Sequence, residues 1–187
     1  MSAKGNAALP SLWEEFLGKL DAALREEVKI ECIGGFVLSL YYGAPRTTGD
    51  IDYFSVMPMQ CARDLQAMAG PDSALAKKYK VHLQHVTVNS LPEDYEARLV
   101  EMFPNRFKKL RLYAPDPYDL ALSKLERNSP KDRDDVEYLT RACRLNAEVL
   151  RERYEEEMRP YLANESRHDL TLKLWLESCF PEPPPSQ

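Results

Sequence analysis

With 187 residues, 44% of them hydrophobic and 29% charged, the chain has the size and composition of one globular domain or one domain with a helical extension. That excludes a wholly disordered protein and removes any need for a disulfide or metal staple. The formal net charge of −5 argues against nonspecific capture of nucleic acid, leaving only local basic faces at Lys77-Lys78-Tyr79-Lys80 and Arg106 to Arg111, which read as solvated surface.

The elements follow an alternating order. Leu12, Phe16, Leu20 and Leu24 recur every four residues and predict an amphipathic helix over residues 11 to 26, opened by Pro10-Ser11. Val28 to Ile33 reads as a strand that ends at Gly34-Gly35, and Phe36 to Tyr42 as an apolar helical segment stopped by Gly43. Ile51 to Val56 is a second strand, residues 61 to 79 are helical with a break at Gly70-Pro71, and Val81 to Val88 is a third strand. After a polar stretch with Pro92 and Pro104, Leu110 to Tyr113 is a fourth strand. From Asp116 to Cys179 only helical patterns occur, with two marked starts. Asp116-Pro117 and Ser129-Pro130 each place an acceptor at the N-cap and proline at the first helical position. The expected layout is an α/β domain over 1–114, a helical region packed on it over 115–180, and a disordered Pro-rich tail over 181–187. Tyr138, Tyr154, Tyr161 and Trp175 fall at helical spacings and read as core.

The four cysteines, Cys32, Cys61, Cys143 and Cys179, form no C-x-x-C pair, which argues against a zinc or redox motif and for buried free thiols. No run approaches the roughly 18 apolar residues of a membrane span, and the N-terminus lacks a signal pattern, so the expected location is the cytoplasm. A nucleophile elbow, a Walker-type loop, a His-Glu-x-x-His helix and a dinucleotide fingerprint are all missing from the sequence.

The chemistry concentrates between residues 33 and 53. Strand side chains alternate faces, so Asp50 and Asp52 project to one side, where two carboxylates can hold Mg²⁺ or Mn²⁺, while Ile51 points to the other. A strand that ends in Gly34-Gly35 lets backbone amides approach a triphosphate, and Arg46, Thr47 and Thr48 can add phosphate contacts.

This strand, Gly-Gly, helix, Arg-Thr-Thr-x-Asp-x-Asp series resembles the nucleotidyltransferase superfamily typified by DNA polymerase beta. In detail it is similar to small bacterial members of the abortive-infection and toxin-antitoxin kind. Leu120-Ala121-Leu122-Ser123-Lys124-Leu125, followed by Pro130-Lys131-Asp132-Arg133-Asp134-Asp135-Val136, resembles the helix-Lys and Lys-Asp-x-x-Asp signature of those members. The two pieces span residues 33 to 54 and 115 to 139. The resemblance implies a nucleotidyltransferase fold with a short mixed sheet flanked by helices. It also implies a nucleoside-triphosphate site with metal on Asp50 and Asp52, Lys124 near phosphate, and Asp132 or Asp135 orienting the basic groups. The bland alternative is an exposed ion pair joining two helices through Lys124 and Asp135.

The implied reaction moves a nucleoside monophosphate from a triphosphate to a hydroxyl of a tRNA or protein. Active members bring a third carboxylate from a neighbouring strand to serve as base. The matching strand, Val81 to Val86, has no acid. His82 or His85 can stand in as base or ligand, although a spacing of three puts them on opposite faces, and Glu93 or Asp94 in a loop just beyond can supply the acid. The alternative is a catalytically inactive binding protein on the same fold, an antitoxin-like partner of a toxin.

Overall fold

Strands at Val28–Ile33 (β1), Asp50–Met57 (β2), His82–His85 (β3), Val100–Met102 (β4) and Leu110–Ala114 (β5) form one mixed sheet in the order β3-β2-β1-β5-β4. β1 runs antiparallel to β2 and parallel to β5, β2 lies parallel to β3, and β4 is antiparallel to β5. This mixed sheet flanked by helices is the expected α/β architecture and is consistent with a nucleotidyltransferase fold. The structure, a computed structural model, describes residues 9–87 and 90–180. It resolves into two compact units. One comprises residues 9–87 with Leu99–Pro115, and the other residues 90–98 together with the described residues from Asp116 onward. Residues 90–98, expected to belong with the sheet, therefore group with the helical region.

In the sheet unit, helix Ser11–Ala23 (α1) buries Trp13, Phe16, Leu17 and Leu20. It ends earlier than the periodicity suggests, because Leu24 turns to extended backbone. The carboxylate of Asp21 then accepts the amides of Lys109 and Leu110 at 2.7 and 2.8 Å, tying the helix end to the start of β5. Helix Gly34–Phe36 (α2) runs directly into a π-helical turn, Val37–Tyr41. Gly70 separates helices Cys61–Ala69 (α3) and Ala74–Tyr79 (α4), and Ser73 caps the second through the Ala76 amide. β3 is shorter than its β-branched content suggests, and the expected end at Val88 lies outside the described residues. β4 was not anticipated: three residues between prolines carry little periodicity, and the pairing of Met102 with Leu112 creates the strand.

One face of the sheet is dry. Ile30, Cys32, Ile51, Tyr53, Leu83 and Leu112 are buried. The Tyr53 hydroxyl donates to Gln66 Oε1 of α3 at 3.2 Å, which identifies this as the face that the helices cover. Alternation then assigns Lys29, Glu31, Asp50 and Asp52 to the opposite, polar face. There the Lys29 ammonium meets Glu31 at 2.9 Å and lies 4.8 Å from the centre of the Tyr113 ring.

In the helical unit, a 3₁₀ turn at Tyr95–Arg98 precedes helices Pro117–Leu122 (α5), Pro130–Cys143 (α6), Ala147–Arg153 (α7) and Glu165–Cys179 (α8). The two starts read from the sequence carry the expected caps. Asp116 accepts the amides of Tyr118 and Asp119, and Ser129 with Asp132 forms a reciprocal capping box. Leu120, Leu125, Val136, Leu139, Leu150, Tyr154 and Trp175 are buried. Tyr161, expected in the core, is 66% exposed, since the chain leaves the helical path at Arg159–Tyr161. The Pro-rich tail, 181–187, lies outside the described residues. All four cysteines are free thiols, and only Cys32 is buried. Among the described residues no helix is long and apolar enough to cross a membrane.

Candidate active site

The polar sheet face is assembled around the junction of β1 and β2. Ile33 pairs with Asp52, so the turn that follows Ile33 falls beside the Asp52 side chain. Gly34 adopts φ +74°, a left-handed conformation that side chains other than glycine's rarely take. A methyl group at Gly34 would stand 2.5 Å from Asp52 Oδ2. At Gly35 it would stand 3.0 Å from Thr48 Oγ1 and 3.5 Å from Arg46 Nη2. The glycine pair is therefore a close approach of bare backbone to Asp52, Thr48 and Arg46. Thr48 also orients one of the acids: its hydroxyl donates to Asp50 Oδ1 at 2.9 Å. Ser39, one turn into the helix, donates to the Gly35 carbonyl at 2.8 Å and holds the turn from the other side. Thr47 is exposed.

Burial decides the chemistry of neighbouring groups. Ile51 and Tyr53 are 0% and 2% exposed, whereas Asp50 and Asp52 are half-buried, in agreement with opposite faces. Burial first, then the charges of Asp52 and Glu31, pushes the Cys32 thiol well up, so Cys32 is a neutral core residue.

β3 supplies the far side of the site. In register, His82 lies beside Asp50, Gln84 beside Asp52, and His85 beside Tyr53. Paired residues of parallel strands share a face, so His82 and Gln84 flank the acids. His85 is on the other face, where its ring meets Tyr53 at a centroid distance of 5.3 Å. His85 is thereby removed from the expected site and Gln84 enters it. Sequence reasoning passed over Gln84 because it sought an acid or an imidazole; its spacing of two from His82 was the available signal.

The helical unit holds the other expected residues. Lys124 is buried, its ammonium 2.8 Å from Asp135 and 3.7 Å from Asp132. The exposed ion pair offered as the bland alternative is thus a buried one. Burial acts to raise the Asp132 carboxyl, but the Arg127 guanidinium, the Ser129 hydroxyl and amide, and the Lys124 charge hold it well below the usual carboxylate range. Glu93, offered as a substitute acid in a loop, is fixed by the Tyr161 phenol at 2.6 Å, and its amide donates to the Glu157 carbonyl at 2.9 Å.

A family model described as a nucleotidyltransferase of unknown function (DUF6036) matches residues 12–178. The chain belongs to this nucleotidyltransferase family. No curated protein and no solved structure matches the chain. In this nucleotidyltransferase, the Gly-Gly turn and Asp50-x-Asp52 come together on one sheet face. Among the described residues no group of three or more His, Cys, Asp and Glu side chains is placed to hold a metal ion. Asp50 and Asp52 are two carboxylates on one face, and Mg²⁺ is an ion commonly held by one or two carboxylates with substrate phosphates completing its shell.

Proposed function

We propose that the protein transfers a nucleoside monophosphate from a nucleoside triphosphate to an acceptor nucleophile, with Mg²⁺ or Mn²⁺ held by Asp50 and Asp52. The observation that carries this reading is the approach of the Gly34 backbone to the Asp52 carboxylate, with Thr48 and Arg46 against Gly35. A bare backbone of this kind admits phosphate oxygens where a side chain would exclude them. The bound cation would neutralise charge on the phosphates and on the departing pyrophosphate. The chain's own groups bind and orient. Arg46 and Thr48 contact the phosphates, Thr48 fixes the rotamer of Asp50, and Ser39 keeps the glycine turn in shape. Lys124, which the resemblance puts near phosphate, is held within the helical unit by Asp135 and Asp132.

Incubation with each α-labelled triphosphate, Mg²⁺ or Mn²⁺, and total tRNA or cell lysate tests the proposal. Label should pass to an acceptor, and Asp52→Ala should abolish the transfer. A second reading is supported by Gln84, which lies beside Asp52 on the strand where the resemblance implies a third carboxylate. In that reading the protein binds nucleotide without turning it over and acts as the antitoxin-like partner of a toxin. Metal-dependent triphosphate binding with no labelled product would select it.

A further inference from the structure

We infer that the acceptor is a phosphate monoester, a nucleophile that arrives already ionised, rather than a hydroxyl. The inference rests on the transferase reading and concerns the acceptor side of the same site. At the level of Asp52 three strands present Ile33, Asp52 and Gln84 in order, with the glycine turn on one side of Asp52 and Gln84 on the other. The phosphates approach from the glycine side, so the acceptor approaches from the side of Gln84. An alcohol attacking there must lose its proton to a base in hydrogen-bond reach. Gln84 is an amide and takes no proton, and its Nε2 donates to the His85 carbonyl at 3.2 Å. His82 lies one face-sharing position back along β3, roughly 6–7 Å away along a strand, beside Asp50 rather than Asp52. Of the other acids that the register puts on this sheet face, Glu31 is paired with Lys29 at 2.9 Å and Glu101 with Arg111 at 3.6 Å.

An amide in place of a carboxylate also has a positive consequence. A third carboxylate repels an anionic acceptor, whereas the Gln84 amide carries no charge and has a second N–H to donate. A phosphate monoester has its second pKa at about 6 and is mostly dianionic at neutral pH, so it needs no base. In the transfer, a non-bridging oxygen of the monoester forms a bond to the α-phosphorus as the bond from that phosphorus to the α–β bridging oxygen breaks. The electron pair leaves with pyrophosphate, no proton changes hands, and the product carries a new diphosphate linkage. The chain's net charge of −5 favours a small phosphorylated molecule over the 5′-phosphate of an RNA.

The full-length protein is to be incubated with α-labelled triphosphates and Mg²⁺ against matched acceptors. These are a set of sugar phosphates and the corresponding free sugars, and an RNA oligonucleotide with a 5′-phosphate and blocked 3′ end beside one with only hydroxyl ends. Label confined to phosphorylated acceptors, resistant to phosphatase and released by a diphosphate-cleaving hydrolase, is expected; the sugar and RNA arms tell which source is used. Label on hydroxyl acceptors overturns the inference while leaving the transferase reading intact. Bound triphosphate with no label on either class overturns it in favour of the binding protein, and no metal-dependent triphosphate binding defeats both. Gln84→Glu supplies an independent arm. It should raise transfer to hydroxyl acceptors by at least about 100-fold, the lower end of general-base contributions, and depress transfer to phosphates. An unchanged ratio contradicts the inference.

Discussion

Substituting Gly34 by alanine tests the site where its geometry is tightest. The added methyl would sit 2.5 Å from Asp52 Oδ2 and 3.3 Å from its Cγ, on a backbone with φ +74°. The left-handed conformation costs an L side chain about 1–2 kcal/mol. The steric part is cheap in energy, because Asp52 can rotate away, but rotation removes one of the two carboxylates from the glycine turn. At roughly 2–4 °C per kcal/mol for a chain of this size, Gly34→Ala should lower Tm by about 2–8 °C. Losing the placement of one carboxylate should weaken binding of a Mg²⁺ complex of a nonhydrolysable triphosphate at least about tenfold, or 1.4 kcal/mol. Gly18→Ala is the control: within α1 nothing lies within 4 Å of the new methyl, so it should stabilise by about 0.5–1 kcal/mol and leave binding unchanged. Differential scanning fluorimetry and titration calorimetry on the native protein and both variants give all of these quantities. A Gly34→Ala protein with native Tm and native triphosphate affinity would refute the approach of Asp52 to the turn.

Other expectations concern the helical unit. Asp119 has a fully buried side chain that accepts Arg98 Nε at 2.9 Å and Arg153 Nη1 at 2.9 Å. Asp119→Ala leaves two guanidinium groups short of their partner and should cost about 3–5 kcal/mol in chemical denaturation; a loss under 1 kcal/mol would show the network to be unimportant. Lys124→Met should destabilise strongly by stranding Asp135, and the Lys124→Met/Asp135→Leu double variant should recover much of the loss. Equal midpoints for the single and double variants would mean that the pair is not coupled. Asp132 makes stability pH-dependent with a definite sign. Its carboxyl is depressed in the folded state, so its contribution is complete above the unfolded value of about 3.9 and is lost as pH falls below it. The gap in urea midpoint between the native protein and Asp132→Asn should therefore shrink from pH 7 to pH 3, and a gap that widens would reverse the assignment.

The parts legible in the sequence were those encoded by local chemistry. Proline after an N-cap acceptor at Asp116 and Ser129 fixed two helix starts, and alternation alone put Asp50 and Asp52 on one face with Ile51 on the other. Features that depend on pairing were not legible. β4 has no pattern of its own and exists through β5, and the place of Gln84 beside Asp52 follows from the register of β3 on β2. His82 and His85 were correctly read as facing apart, but only the register tells which of them faces the acids. Residues 90–98 looked like a loop because they lack apolar periodicity. Their hydrogen bonds run to Glu157 and Tyr161, some 60 residues later in the chain, where no local signal marks them. Lys124 and Asp135 were paired correctly, while their burial depends on tertiary packing that sequence spacing does not encode.

The proposed function requires Asp50 and Asp52 to act with the glycine turn as one metal-dependent triphosphate site. Calorimetric titration of a nonhydrolysable triphosphate into the native protein and into Asp52→Asn, each with Mg²⁺ and with EDTA, measures that directly. Binding to the native protein that requires Mg²⁺ and disappears in Asp52→Asn is the predicted result. Binding that is indifferent to the metal, or equal in the two proteins, would contradict it.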